Sequence, residues 1–83
     1  MNKADNVREY CIDNYINPAR KRKEKGVFIS SGDVHKALRL SKSYPAVCAA
    51  LGSEMFETDA NVQRVHICGP LNSASTTFVF IFR

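Results

Sequence analysis

Residues 62–82 read VQRVHICGPLNSASTTFVFIF. From Thr76 to Phe82 every residue is β-branched or aromatic, the strongest strand signal in the chain. Val62 to Cys68 sets Val62, Val65 and Ile67 among the polar Gln63, Arg64 and His66, while Gly69 to Ser75 is loop chemistry. Two strands around a polar tip make a β-hairpin. A lone hairpin is marginal in water, so this one requires a further strand and a helical cover. The short run Val27-Phe28-Ile29, between Gly26 and Ser30-Ser31, supplies the only other strand candidate.

Upstream, the pattern is helical. From Asp5 to Ile16, Val7, Cys11 and Tyr15 form one stripe that Ile12 and Ile16 widen. Asp5 is the expected N-cap. Pro18 fits poorly inside a helix, so this helix either stops near Ile16 or breaks there and resumes through the basic run to Gly26. Ser30-Ser31-Gly32-Asp33 has the S-x-x-D form of a helix start, and Val34, Ala37 and Leu38 follow at helical spacing. A third helix opens at Tyr44-Pro45 behind the expected cap Ser43, with Val47, Cys48, Leu51 and Met55 as its stripe. Gly52 predicts a kink or an end there, with Ser53 to Phe56 carrying the helix another turn or two.

The order is therefore helix, strand, helix, helix, strand, strand, an α+β arrangement in a single domain over residues 1–83. With FISSGDVHKAL as second helix, SKSYPAVCAAL as third and the terminal hairpin as wing, the whole chain resembles the winged form of the helix-turn-helix. The pair S-G-D-V-H and P-A-V-C-A-A-L is also similar to segments of small uncharacterised prokaryotic winged-helix proteins. The resemblance implies double-stranded DNA as partner, read by the third helix in the major groove and touched by the wing. It implies the role of a small transcriptional regulator or of a mobile-element accessory protein. Winged helices also serve as protein-interaction modules without DNA contact, and fold alone does not choose between the two.

Composition bounds the rest. The chain has 83 residues and a formal net charge of +4. Ten Lys or Arg against five acids fall in residues 1–42, and two against three in residues 43–83. An odd set of three cysteines, with no C-x-x-C pair, argues against a disulfide framework. The polar start MNKADNVREY and the lack of a long apolar run predict a reduced, cytosolic protein without membrane attachment. Cys11, Cys48 and Cys68, set among apolar residues, are expected to be buried, and His35 and His66 to lie at the surface. His66-x-Cys68 is too close for paired metal ligands, so no metal or cofactor is expected. Ser31, Asp33 and His35 suit a helix start better than a catalytic triad, and no phosphate loop or paired-carboxylate signature is present. The expectation is a binding protein and not an enzyme.

Carried over by position, Lys42, Ser43 and Tyr44 stand at the start of the third helix, and Ala46, Ala49 and Ser53 form its outward face. Small residues there permit close approach to DNA, but none is an Arg, Asn or Gln able to read a base bidentately. Binding is thus expected to depend only weakly on sequence. Asn72 and Ser73 at the hairpin tip are uncharged phosphate-contact candidates. The electrostatic candidates are Arg20, Lys21, Arg22, Lys23 and Lys25, joined by Lys36, Arg39 and Lys42 in a phosphate track if they share a face. The last strand alternates Phe78, Phe80 and Phe82 with Val79 and Ile81. Both of its faces are apolar, so one is left for a protein partner or a second copy.

Overall fold

The computed structural model describes residues 3–83, which form four helical segments and one three-stranded antiparallel sheet. Strands β1 (Gly26–Ser30), β2 (Val62–Cys68) and β3 (Thr77–Phe82) lie in the order β1-β3-β2, so the last strand holds the other two apart. Ile29 and Ile67 both pair with Phe78, and Val27 and Arg64 with Phe80. Strand alternation then sends Phe78 and Phe80 into the core with Ile29 and Val62. Phe56 tilts against Phe80 at 5.1 Å between ring centroids. A bulge between Arg64 and His66 inserts Val65 as an extra residue, so that Ile67 instead of His66 faces inward.

Helix α1 is continuous. It runs as Lys3–Cys11, widens into a π segment at Ile12–Ile16 and resumes as Asn17–Lys21. Pro18 has no amide hydrogen and its ring crowds the preceding turn. The π turn absorbs that defect, with the Asn17 amide bonding Ile12 O. Its imprint is the buried stripe Val7, Cys11, Ile16 and Ala19. The five-residue step puts Ile16 where a regular helix would put Tyr15, and Tyr15 is only half-buried. Helix α1 begins before Asp5, which stands in its first turn and not at its cap. It ends at Lys21 and not at Gly26. Lys23 takes the left-handed conformation (φ 60°), its amide bonding Arg20 O while the Glu24 amide returns to Ala19 O. These are the paired bonds of a Schellman closure.

Helices α2 (Ser31–Ala37), α3 (Tyr44–Leu51) and α4 (Glu54–Ala60) follow. Ser30 and Ser43 occupy the N-cap positions of α2 and α3, yet neither side chain caps. Instead the Ser31 hydroxyl donates to Ser73 O, tying the start of α2 to the hairpin loop. Continuation of the third helix through Met55 does not occur. It ends at Gly52, and Ser53 turns extended (ψ 151°) to cap a separate helix by accepting from the Phe56 amide. Met55 then points outward, 55% exposed. Helices α1 and α3 bury Val7, Cys11, Val47 and Leu51 against the sheet's inner phenylalanines. No described helix is long and apolar enough to cross a membrane.

Two further expectations are corrected. Cys68 is exposed, because alternation from the inward Ile67 turns it to the outer face. His35 is buried, held between α2 and α3. Cys11 and Cys48 are buried and free, and burial pushes the Cys11 thiol up to about 12. Native protein should therefore show one fast thiol, Cys68, and two slow ones with an aromatic disulfide reagent. Three equally slow thiols would contradict the strand phase. Because the folded thiol of Cys11 holds its proton to higher pH than the unfolded one, unfolding releases a proton in alkaline solution. Stability should decline by about 1.4 kcal/mol per pH unit above the ordinary thiol range. Cys11→Ala should flatten that limb in denaturant titrations at a series of pH values.

Candidate nucleic-acid interface

The turn between α2 and α3 is built around one imidazole. His35 Nε2 accepts the Ser43 amide at 3.1 Å, and its ring stacks on Tyr44 at 4.0 Å with 16° between planes. The Ser43 hydroxyl donates to Ser41 O and accepts from Lys3 Nζ, each at 2.8 Å. Ser43 is thereby consumed by the fold, only 4% exposed. Around this anchor, Lys36, Arg39 and Lys42 are all exposed. Arg39 (φ 55°) closes α2 as Lys23 closes α1, and Lys42 (φ 48°) is also left-handed. Cations at helix C-terminal ends meet the negative end of the dipole.

Helix α3 turns Pro45 and Ala49 to solvent and leaves Ala46 half-buried. Ala49 lies in a groove of about 290 Å³ whose other walls include Arg64 and Ile67 of β2 and Leu71 and Asn72 of the hairpin loop. The structure thus brings Ala49 and Asn72 together. Ser53 is not available there, since its hydroxyl donates to Ala50 O at 2.8 Å while capping α4. Ser73 is also engaged: its hydroxyl donates to Pro70 O at 3.0 Å and accepts from the Ser75 amide at 3.2 Å, and its own amide bonds Thr76 Oγ1. The loop is held in shape by its own hydroxyls, with Asn72 left exposed at φ 58°.

Arg64 was missed by the sequence reading, in which it is one of several polar spacers. Its guanidinium donates to Gly52 O, closing α3, and its amide donates to Glu57 Oε1 at 2.8 Å. The usable signal was its rarity, as one of two cations in residues 43–83.

The basic run stands elsewhere. Lys3, at one end of α1, touches Ser43, whereas the run begins at the other end of that nineteen-residue helix. At ~1.5 Å per residue, the backbone of Lys3 and that of Arg20 are roughly 26 Å apart along α1. The turn cations and the basic run therefore stand toward opposite ends of α1. Nor is the run uniformly free. Arg20 donates to Ala60 O at 2.8 Å and Asn61 O at 2.7 Å, with its guanidinium carbon 4.4 Å above the Phe82 ring. Arg22 forks onto Glu24 at 2.8 and 3.1 Å. Lys21, Lys23 and Lys25 are exposed.

Among the described residues no three of His, Cys, Asp and Glu converge so as to hold a metal ion. No protein-family model matches the sequence, and neither a curated protein nor a solved structure matches it.

Arg20 should behave as a structural residue. Arg20→Ala removes two charged hydrogen bonds to the end of α4 and a ring contact, and should cost about 2–3 kcal/mol in denaturant unfolding. Lys21→Ala should stay within about 0.5 kcal/mol of the parent. Equal effects of the two substitutions would contradict the capping role.

Proposed function

We propose that the chain is a winged-helix domain that binds double-stranded DNA through α3 and the turn before it. The observation that carries this reading is the outward side of α3. It is uncovered, lined by Pro45, Ala46 and Ala49, and flanked by the exposed Lys36, Arg39 and Lys42 on one side and by the hairpin loop on the other. The order of elements and the β1-β3-β2 sheet support it, since that arrangement presents a third helix and a hairpin loop together.

On this reading the cations hold phosphates while α3 enters the groove. Small side chains allow its backbone close to the base edges, and a methyl such as Ala49 suits a thymine methyl. Helix α3 itself carries no bidentate reader, and the Arg64 guanidinium beside it is engaged by Gly52 O, which leaves the exposed carboxamide of Asn72 in the hairpin loop as the reader-type group bordering the groove. The binding expected is phosphate-dominated and weakly sequence-dependent, as fits a small regulatory or accessory DNA-binding protein and not an enzyme.

Titration against short duplexes at two salt concentrations tests the proposal. Three turn cations should give a log–log slope of about −3. Replacing Lys36, Arg39 and Lys42 with Gln should weaken binding to all duplexes alike and flatten the slope. Replacing Lys21, Lys23 and Lys25, which stand at and beyond the other end of α1, should change it much less. Absence of binding to any duplex at low salt would overturn the reading.

A further inference from the structure

Among the described residues no helix lies over the outer face of the sheet, and only Tyr15 of α1 reaches its edge. Register places Phe28 opposite Val79 and Gly26 opposite Ile81 on that face, so the three apolar side chains adjoin across two strands. Phe28 is 71% exposed and Ile81 41%. Gly26 contributes no side chain, and a Cβ there would collide with the Phe80 carbonyl oxygen, so the backbone packing keeps this spot bare. The result is a hollow of about 520 Å³ lined by Tyr15, Arg22, Lys25, Phe28, Val79 and Ile81. Its rim is the turn after α1. Of that turn Arg22, Glu24 and Lys25 line the hollow; Arg22 and Glu24 neutralise one another, and Lys21 and Lys23, exposed beside them, add to the positive charge of Lys25.

We infer that this hollow docks an acidic segment of a partner protein, an apolar side chain entering between Phe28 and Ile81 while flanking carboxylates meet Lys21, Lys23 and Lys25. Charge complementarity selects this occupant. A second copy docked by the same face would set one lysine turn against another, and like charges across an isologous contact oppose it. DNA would use the lysines but has no need of the apolar floor. An apolar centre inside a charged rim is the anatomy of a protein-binding patch. The face lies across the sheet from the helical layer, so its occupancy is independent of α3 and does not rest on the DNA reading.

Fluorescence anisotropy of the full chain with a fluorescein-labelled peptide alternating glutamate and phenylalanine tests the inference. Saturable binding is expected. It should weaken by about tenfold or more in Phe28→Ser and in the triple replacement of Lys21, Lys23 and Lys25 by Gln, which equals about 1.4 kcal/mol or more. It should persist when Lys36, Arg39 and Lys42 are replaced by Gln, and duplex DNA should not displace the peptide. Phe28 is a surface residue, and an unchanged thiol-labelling pattern in Phe28→Ser shows the fold intact. Equal binding of a lysine–phenylalanine peptide, or no effect of Phe28→Ser, overturns the proposal. So does stronger capture by phosphatidylserine vesicles that compete with the peptide, or self-association in sedimentation that Phe28→Ser abolishes.

Discussion

Everything in this molecule hangs on the position of β3 between β1 and β2. Two edge strands separated by more than thirty residues of chain can share a sheet only if a third strand satisfies both, and β3 does so, with an unbroken register to β1 and a bulged one to β2. Its alternation fixes the two sides of the protein at once. Phe78 and Phe80 become the floor on which α1, α3 and α4 pack, and Val79 and Ile81 become the outer surface. A slip of one residue would exchange the two sets and leave the helices without a floor.

The helical layer depends on a second constraint, the accommodation of Pro18. A helix broken at Ile16 would leave Ala19 and Arg20 free to swing away from the core. The π turn keeps the axis continuous, rotates Ile16 inward and delivers Arg20 to the end of α4, where it bonds carbonyls forty residues further along the chain. That delivery sets the basic run at the end of α1 opposite Lys3. One proline thus bears on core packing and on surface electrostatics alike.

The hairpin, the short third strand and the two helices around His35 were legible in the sequence, because each depends on local spacing and turn chemistry. The boundaries between α3 and α4 were not. Gly52 signalled an interruption, but only the extended backbone of Ser53 and its bond to the Phe56 amide show that a separate helix begins. The free cations of the candidate site, Lys36, Arg39 and Lys42, could be read as exposed from their place on α2 and its turn. The burial of Ser43 could not, since it depends on Lys3 and His35 reaching it from other elements. Arg20 and Arg64 escaped for the same reason: an arginine that caps a distant helix looks, in sequence, like an arginine in solvent. Cys68 was readable and was misread, because the alternation that turns Ile67 inward also turns its neighbour out.

The left-handed positions at Lys23, Arg39 and Lys42 have a consequence for how this surface is maintained. A non-glycine residue held there carries roughly 1–2 kcal/mol of backbone strain that glycine would not. Selection for stability alone would erode all three toward glycine and strip the turns of charge with them. In small domains, where stability margins are narrow, such positions are where retention of surface charge and fitness for folding pull in opposite directions. An evolved stabilised variant would reveal which of the two had been relaxed by the charges it discards.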